Sequence, residues 1–316
     1  MFSLPEAWVW DFWLADDGRR HHLFFLYASR ALKDPDARHY RASVGHAVST
    51  DLTHWTRVTD ALVRSDAPGP DDLATWTGST IQGPDGTWHT FYTGASPAPN
   101  GSNIQTVCHA TSLDLYDWTK QPGPLLRADR RWYEVLGDGG WHDEAFRDPW
   151  VFPDPDGDGW HLLITARANH GPFDDRGVVG HATSPDLYRW TLQEPLSQPG
   201  QGFGQLEVFQ TLELDGRNYL LFNCLAGDLS HRHRATGASG GVWLARAESP
   251  LGPYDLAGAQ QLTDRSLYVG KIVHDRDGRP VFLAFRNEAA DGSFVSGITD
   301  PIPVEVSGGT VTLAGI

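Results

Sequence analysis

The chain is poor in sulfur, in positive charge and in long apolar runs, and each shortage excludes something. It has two cysteines, Cys108 and Cys224, and one methionine in 316 residues. Two thiols cannot build a disulfide framework or a four-cysteine zinc site, so packing must hold the core. Both lie in predicted strands of different repeat units, where a buried free thiol is the expected state. Lys and Arg number 25 against 40 Asp and Glu, a formal net charge of −15. Such a surface repels phosphate backbones and anionic lipid, which argues against a nucleic-acid or membrane partner. No segment approaches the roughly 20 apolar residues of a membrane-spanning helix. The opening stretch, Met1 to Trp13, has Glu6 and lacks the basic and apolar parts of a secretion signal. A cytoplasmic protein is therefore expected.

What the chain does have is repetition. Asp-Gly pairs at Asp17-Gly18, Asp85-Gly86, Asp156-Gly157, Asp215-Gly216 and Asp277-Gly278 each separate two alternating apolar runs. That pattern predicts five hairpins with type I′ turns, since both central residues of such a turn take positive φ. A second repeat follows the first four hairpins. Val44-Gly45-His46-Ala47-Val48-Ser49-Thr50-Asp51-Leu52-Thr53-His54-Trp55 recurs from Val107 to Trp118 and from Val179 to Trp190, with a degraded copy from Ala247 to Tyr254. Each unit thus reads as a hairpin, a third strand, a Ser-x-Asp-Leu turn and a Trp-bearing outer strand. Four antiparallel strands repeated five times predict an all-β, five-bladed β-propeller, a single domain over residues 1–316.

In a propeller the innermost strand of each blade faces the central channel, and residues at one end of these strands converge. Three of the five predicted inner strands carry an acid that the repeat does not require: Asp11, Asp148 and Glu207. They stand at similar distances before their own Asp-Gly turns, which predicts nearly the same height in three blades. Charged groups amid apolar neighbours are costly to bury unless paired or used. Three carboxylates at one channel mouth suit glycosyl transfer, where one attacks or activates water and another protonates the leaving oxygen. Trp10 and Trp13 flank Asp11, Trp76 lies on the second inner strand, and such aromatics commonly line sugar sites. Strand alternation puts Glu144 on the face of Asp148, and Tyr268 and Lys271 are the fifth strand's candidates to reach the channel.

These residues resemble a known group. Phe146-Arg147-Asp148-Pro149 resembles the Arg-Asp-Pro motif of glycoside hydrolase families 32 and 68, the β-fructosidases and levansucrases. Thr77-Gly78-Ser79, with Trp88 and Phe91-Tyr92-Thr93-Gly94, is similar to two further segments of family 32, and Gly45-His46-Ala47 through Trp55 to its first-blade signature. The resemblance implies Asp11 as nucleophile, Asp148 as transition-state stabiliser and Glu207 as general acid/base of a retaining enzyme on sucrose or a short fructan, with fructosyl transfer open beside hydrolysis. It further implies that Asp148 and Arg147 hold furanose hydroxyls, with Ser79 and Trp76 adding a hydrogen bond and an apolar wall. There are departures. The opening Trp10-Asp11-Phe12-Trp13 is closer to family 68, Glu207 is followed by Val208-Phe209 rather than Cys-Pro, and no β-sandwich is expected after the fifth unit.

Two rival readings stay open. One is an inverting enzyme resembling family 43, acting on arabinosides or xylosides. The other is a sugar-binding propeller without catalysis. Other patterns carry less. Gly237-Ala238-Ser239-Gly240-Gly241 has the spacing of a nucleophile elbow but no helical period follows it. Asp154, Asp156, Asp158 and Gly159 imitate the start of a calcium loop, yet its twelfth position is Thr165. His46, His109 and His181 recur once per unit and are expected to pack and hydrogen-bond. His231 and His233 fall in an insertion, Ala226 to Gly240, expected to be a solvated loop near the rim. No metal or cofactor is expected; the expected partner is a small carbohydrate.

Overall fold

The computed structural model describes residues 1–138 and 140–315. Five four-stranded antiparallel sheets follow one another along the chain, each built from consecutive strands. Blade one holds β1 (Ala7–Asp16), β2 (His21–Ser29), β3 (Ser43–Ser49) and β4 (Thr56–Arg57). Blade two holds β5 (Ala74–Gln82), β6 (Trp88–Pro97), β7 (Asn103–Ser112) and β8 (Thr119–Lys120). Blade three holds β9 (Phe146–Pro153), β10 (Trp160–Arg167), β11 (Gly177–Ser184) and β12 (Thr191–Gln193). Blade four holds β13 (Glu207–Leu214), β14 (Arg217–Cys224), β15 (Gly241–Ala247) and β16 (Gln260–Gln261). Blade five holds β17 (Leu267–His274), β18 (Pro280–Arg286), β19 (Ile302–Ser307) and β20 (Thr310–Leu313). This is the five-bladed propeller that the repeats predict.

The repeated turn has a local cause. The Asp114 carboxylate accepts the backbone N–H groups of Tyr116 and Asp117, and Asp51 and Asp186 do the same in their own blades. The following Leu52, Leu115 and Leu187 take positive φ, and their carbonyls accept the indole N–H of Trp55, Trp118 and Trp190 at 3.0 Å. A side-chain acceptor therefore stabilises a left-handed residue that would otherwise be strained.

The Asp-Gly hairpins are only partly as expected. Asp215 and Gly216 both have positive φ, giving the predicted two-residue turn between β13 and β14. The other four loops are longer. In blades one and two the Asp side chain of the pair folds the loop itself, Asp17 accepting from Arg19 and Arg20 and Asp85 from Thr87, whereas in blade five the acceptor is Asp275, two residues before the pair. An Asx-type turn needs no positive φ at Asp, so the same dipeptide serves a different turn.

Blades pack through aromatic seams. His22 and His46 hydrogen-bond at 2.9 Å within blade one, and Tyr116 of blade two packs on both rings. Tyr188 of blade three covers the equivalent His89–His109 pair. His161 and His181 repeat the pair at 2.8 Å, so the recurring histidines are packing and hydrogen-bonding residues. Cys108 and Cys224 are buried free thiols. Between blades one and five the ring closes without a shared strand: Phe2 exchanges backbone hydrogen bonds with Ile298 at 2.9 and 2.8 Å. Ser296 also accepts from the Val9 N–H, and Phe2 packs edge-on against Phe25 at 4.8 Å.

Candidate active site

All five inner strands carry a register shift at the same place, where they approach the channel mouth. In blade one Trp10 and Asp11 stand opposite Leu26 alone; in blade three Asp148 and Pro149 stand opposite Ile164; in blade four Val208 and Phe209 stand opposite Phe222. Such a bulge bends the strand and re-aims side chains, here into the channel. The three acids do not share one position, as their spacing suggested. Glu207 is the paired residue before its bulge, Asp148 the first bulged residue and Asp11 the second. They form a staircase around one cavity of about 500 Å³.

Asp11 is half-buried and accepts a hydrogen bond from the Thr77 hydroxyl. Burial, reinforced by the nearby Glu207, pushes its carboxyl up to about 6 despite that bond. Asp148 has φ +54, and its backbone N–H is held by the Thr93 hydroxyl at 2.8 Å. Its Oδ2 accepts from Thr165 at 3.1 Å and lies 3.4 Å from Arg147 Nε. Burial pushes it up to about 7; the Arg147 charge works against that shift, and the Glu207 and Asp11 carboxylates add to it. Glu207 is gripped from two sides. Arg147 pairs with its Oε1, and the Tyr268 hydroxyl donates to its Oε2.

Arg147 is the hub. Its guanidinium also donates to Gln105 Oε1 at 3.0 Å and to Gln205 Oε1. Burial opposes its charge, but Glu207 and Asp148 more than offset this and hold it firmly protonated. Arg147 thus serves Glu207 and Asp148, while Arg38 is the cation that acts on Asp11.

Several residues join the site that the sequence did not single out. The β2–β3 connection contributes a 3₁₀ segment, Asp36–Arg41, whose Asp36, Arg38, His39 and Tyr40 line the cavity. The Arg38 guanidinium lies 5.5 Å from the centroid of the Trp10 ring and 3.8 Å from that of Phe294. Trp76 also lines the cavity and donates its indole N–H to the His39 carbonyl at 2.7 Å. Asn103, Gln105, Gln205, Asp228 and Asn287 complete the polar wall, together with Asp143, which the sequence places beside the Arg-Asp-Pro motif as Glu144's neighbour and a further candidate proton donor. Asp228 belongs to the Ala226–Gly240 insertion, and burial beside Glu207 pushes it up to about 6. A short 3₁₀ turn, Ala226–Asp228, brings Leu225 and Asp228 into the wall, so this part of the insertion is site and not merely solvated loop.

Four expected site residues lie outside the cavity. Trp13 follows the bulge, so alternation turns it away; it is 1% exposed, stacks on Phe24 and donates to Thr80 at 2.9 Å. Ser79 ties blade two to blade three, donating to the Pro149 carbonyl and accepting from the Val151 N–H. Glu144 precedes β9, where strand alternation does not hold, and accepts from the Leu136 N–H at 3.0 Å. Lys271 is 2% exposed and donates to the Val208 and Phe209 carbonyls inside the channel. Burial pulls its ammonium down to about 7. Asp11, Asp148, Glu207, Arg147, Trp10, Trp76 and Tyr268 are all brought together at the cavity.

A five-bladed propeller with a buried acid cluster at its channel mouth defines the structural class. Within it, residues 14–293 match the glycosyl hydrolases family 32 N-terminal domain, and the chain belongs to that family. A vacuolar acid beta-fructofuranosidase of a Rosa hybrid cultivar is 33% identical over 209 residues, 62% of this chain and 30% of that protein. Fructan 1-exohydrolase w2 of Triticum aestivum is 36% identical over 158 residues, 48% of this chain and 24% of its own. The chain thus spans under a third of the length of these curated relatives. Among solved structures, the inulosucrase of Halalkalicoccus jeotgali bound to kestose superposes with a TM-score of 0.80 at 22% identity, covering 99% of this chain and 88% of that one. The Bacillus subtilis levansucrase gives 0.74 at 16% identity over 98% and 87%. These likenesses establish the shared fold.

Proposed function

We propose that this protein is a retaining β-fructofuranosidase acting on sucrose or a short fructo-oligosaccharide, with transfer to a sugar acceptor as a side reaction. The observation that carries the reading is the convergence of Asp11, Asp148 and Glu207, from three blades, on one cavity of a family 32 propeller, with Asp148 and Glu207 sharing the Arg147 guanidinium. Asp11 attacks the anomeric carbon while Glu207 protonates the departing oxygen, and a fructosyl ester forms at Asp11. Water or a second sugar then attacks that carbon, and Glu207 takes up the proton. Asp148, anchored by Thr165, accepts hydrogen bonds from furanose hydroxyls that carry partial charge in the transition state. The names of the relatives, a fructofuranosidase and a fructan exohydrolase, and the kestose in the inulosucrase structure favour a fructosyl substrate.

The wall adds a preference. Among the described residues lining the cavity, Asp11, Asp36, Asp143, Asp148, Glu207 and Asp228 stand with Arg38 and Arg147 as the fixed cations. A neutral sugar meets no repulsion there, whereas a phosphorylated one does. Proton NMR of the protein with sucrose tests the reading: fructose should appear first as the β-furanose, ahead of mutarotation. Cleavage of an arabinofuranoside with silence on sucrose and kestose would overturn it.

A further inference from the structure

The bulge that aims Glu207 is held by side chains from neighbouring strands. Val208, next to Glu207, has φ +52, a conformation that a β-branched residue adopts only when its surroundings impose it. The three successive carbonyls here all have side-chain donors. Asn223 Nδ2 donates to the Glu207 carbonyl at 3.1 Å and the Val208 carbonyl at 3.3 Å, and Asn223 Oδ1 accepts from the Gly270 N–H at 3.0 Å. Lys271 Nζ donates to the Phe209 carbonyl at 3.0 Å and the Val208 carbonyl at 3.4 Å. The ammonium lies 5.1 Å from the centroid of the Trp150 ring. Among the described residues no carboxylate lies within 4.0 Å of it, although the Asp148 and Asp11 charges favour its ammonium from farther off. A buried lysine without an ion-pair partner is an expensive way to fill space, and methionine would fill it better. Its position is explained by what it grips.

We propose that Lys271 is a positioning residue for Glu207: from blade five it clamps the left-handed bulge of blade four and so sets the direction in which the Glu207 carboxyl points. The amine has hydrogens to donate whether charged or neutral, so the clamp holds across the working pH range. This inference rests on the reading of Glu207 as proton donor, and it extends that reading to a side chain outside the cavity. Without the clamp the Val208 peptide relaxes and Glu207 swings away from the leaving oxygen. Asp11, on another blade, keeps its aim.

The test compares Lys271→Met with the parent on two substrates, sucrose and β-fructofuranosyl fluoride. Fluoride departs without a proton, so its kcat/KM reports nucleophile and binding but not acid. We expect kcat/KM on sucrose to fall roughly 100-fold, the scale of an ångström-sized misplacement. The fluoride value should change less than about 5-fold, with KM for sucrose nearly unchanged. Lys271→Gln, which retains one donor, should recover part of the sucrose activity and serves as the probe if the methionine variant does not fold. Equal losses on both substrates, or a change confined to KM, would overturn the clamp. A parent inactive on both would overturn the functional reading itself.

Discussion

At the scale of single residues, the chemistry depends on proton occupancy in a crowded acid cluster. Asp11 and Asp148 bind protons more tightly in the folded protein, near 6 and 7, than in an unfolded chain near 3.8. Their contribution to stability is therefore full below about pH 4 and is lost as pH rises through 6 and 7. On the proposed mechanism activity runs the other way, because Asp11 must be ionised to attack. The kcat/KM on sucrose should thus rise with pH across the region around 6. Asp11→Asn should abolish turnover yet melt higher than the parent at pH 8, with the gap shrinking toward pH 4. A thermal scan at the two pH values checks this, and a variant less stable at pH 8 would show that burial is not straining the nucleophile. Tyr268→Phe removes a hydrogen bond to a carboxylate worth about 1.5–3 kcal/mol, so kcat/KM should drop roughly tenfold to a hundredfold. The acids were legible in the sequence because a carboxylate amid Trp, Phe and Val is conspicuous. Arg38 and His39 were not, since they lie in a 3₁₀ segment whose path across the cavity leaves no periodic trace.

At the scale of the element, sequence and structure agree where a side chain makes the turn and part where the backbone does. The Ser-x-Asp-Leu segment repeats with its hydrogen bonds intact, so its recurrence announced the turn. Asp186→Ala removes the acceptor for the N–H groups of Tyr188 and Arg189 and leaves Leu187 unsupported at φ +65. It should cost about 1–2 kcal/mol in a urea titration with no change in kcat, since this turn is no part of the cavity. The bulges were invisible, because a one-residue shift in pairing leaves alternation almost intact on either side. Yet they decide the site. They separate Trp10 from Trp13 and move Ser79 and Lys271 out of contact with the cavity, which simple alternation could not foresee.

For the whole molecule, the repeats made blade number and strand order readable, while the means of closing the ring stayed hidden. Nothing in Phe2 marks it as the residue that pairs with Ile298. Truncating this buried ring to Ala should cost about 3–5 kcal/mol and speed unfolding, and denaturant kinetics would show it. A variant as stable as the parent would mean that Ser296 and Val9 suffice to hold the seam.

That seam also governs when the protein becomes itself during synthesis. Asp11 leaves the ribosome on the first blade, Asp148 on the third, Glu207 on the fourth, and Tyr268, which donates to Glu207, on the fifth. Nascent chains holding only the first blades can build sheets but must wait with one inter-blade face bare. Final docking of blade five onto Phe2 is a long-range closure, slow by its topology, and it covers that face in a single event. The cavity therefore cannot assemble co-translationally in part: the fifth blade delivers both the finished ring and the completed acid cluster.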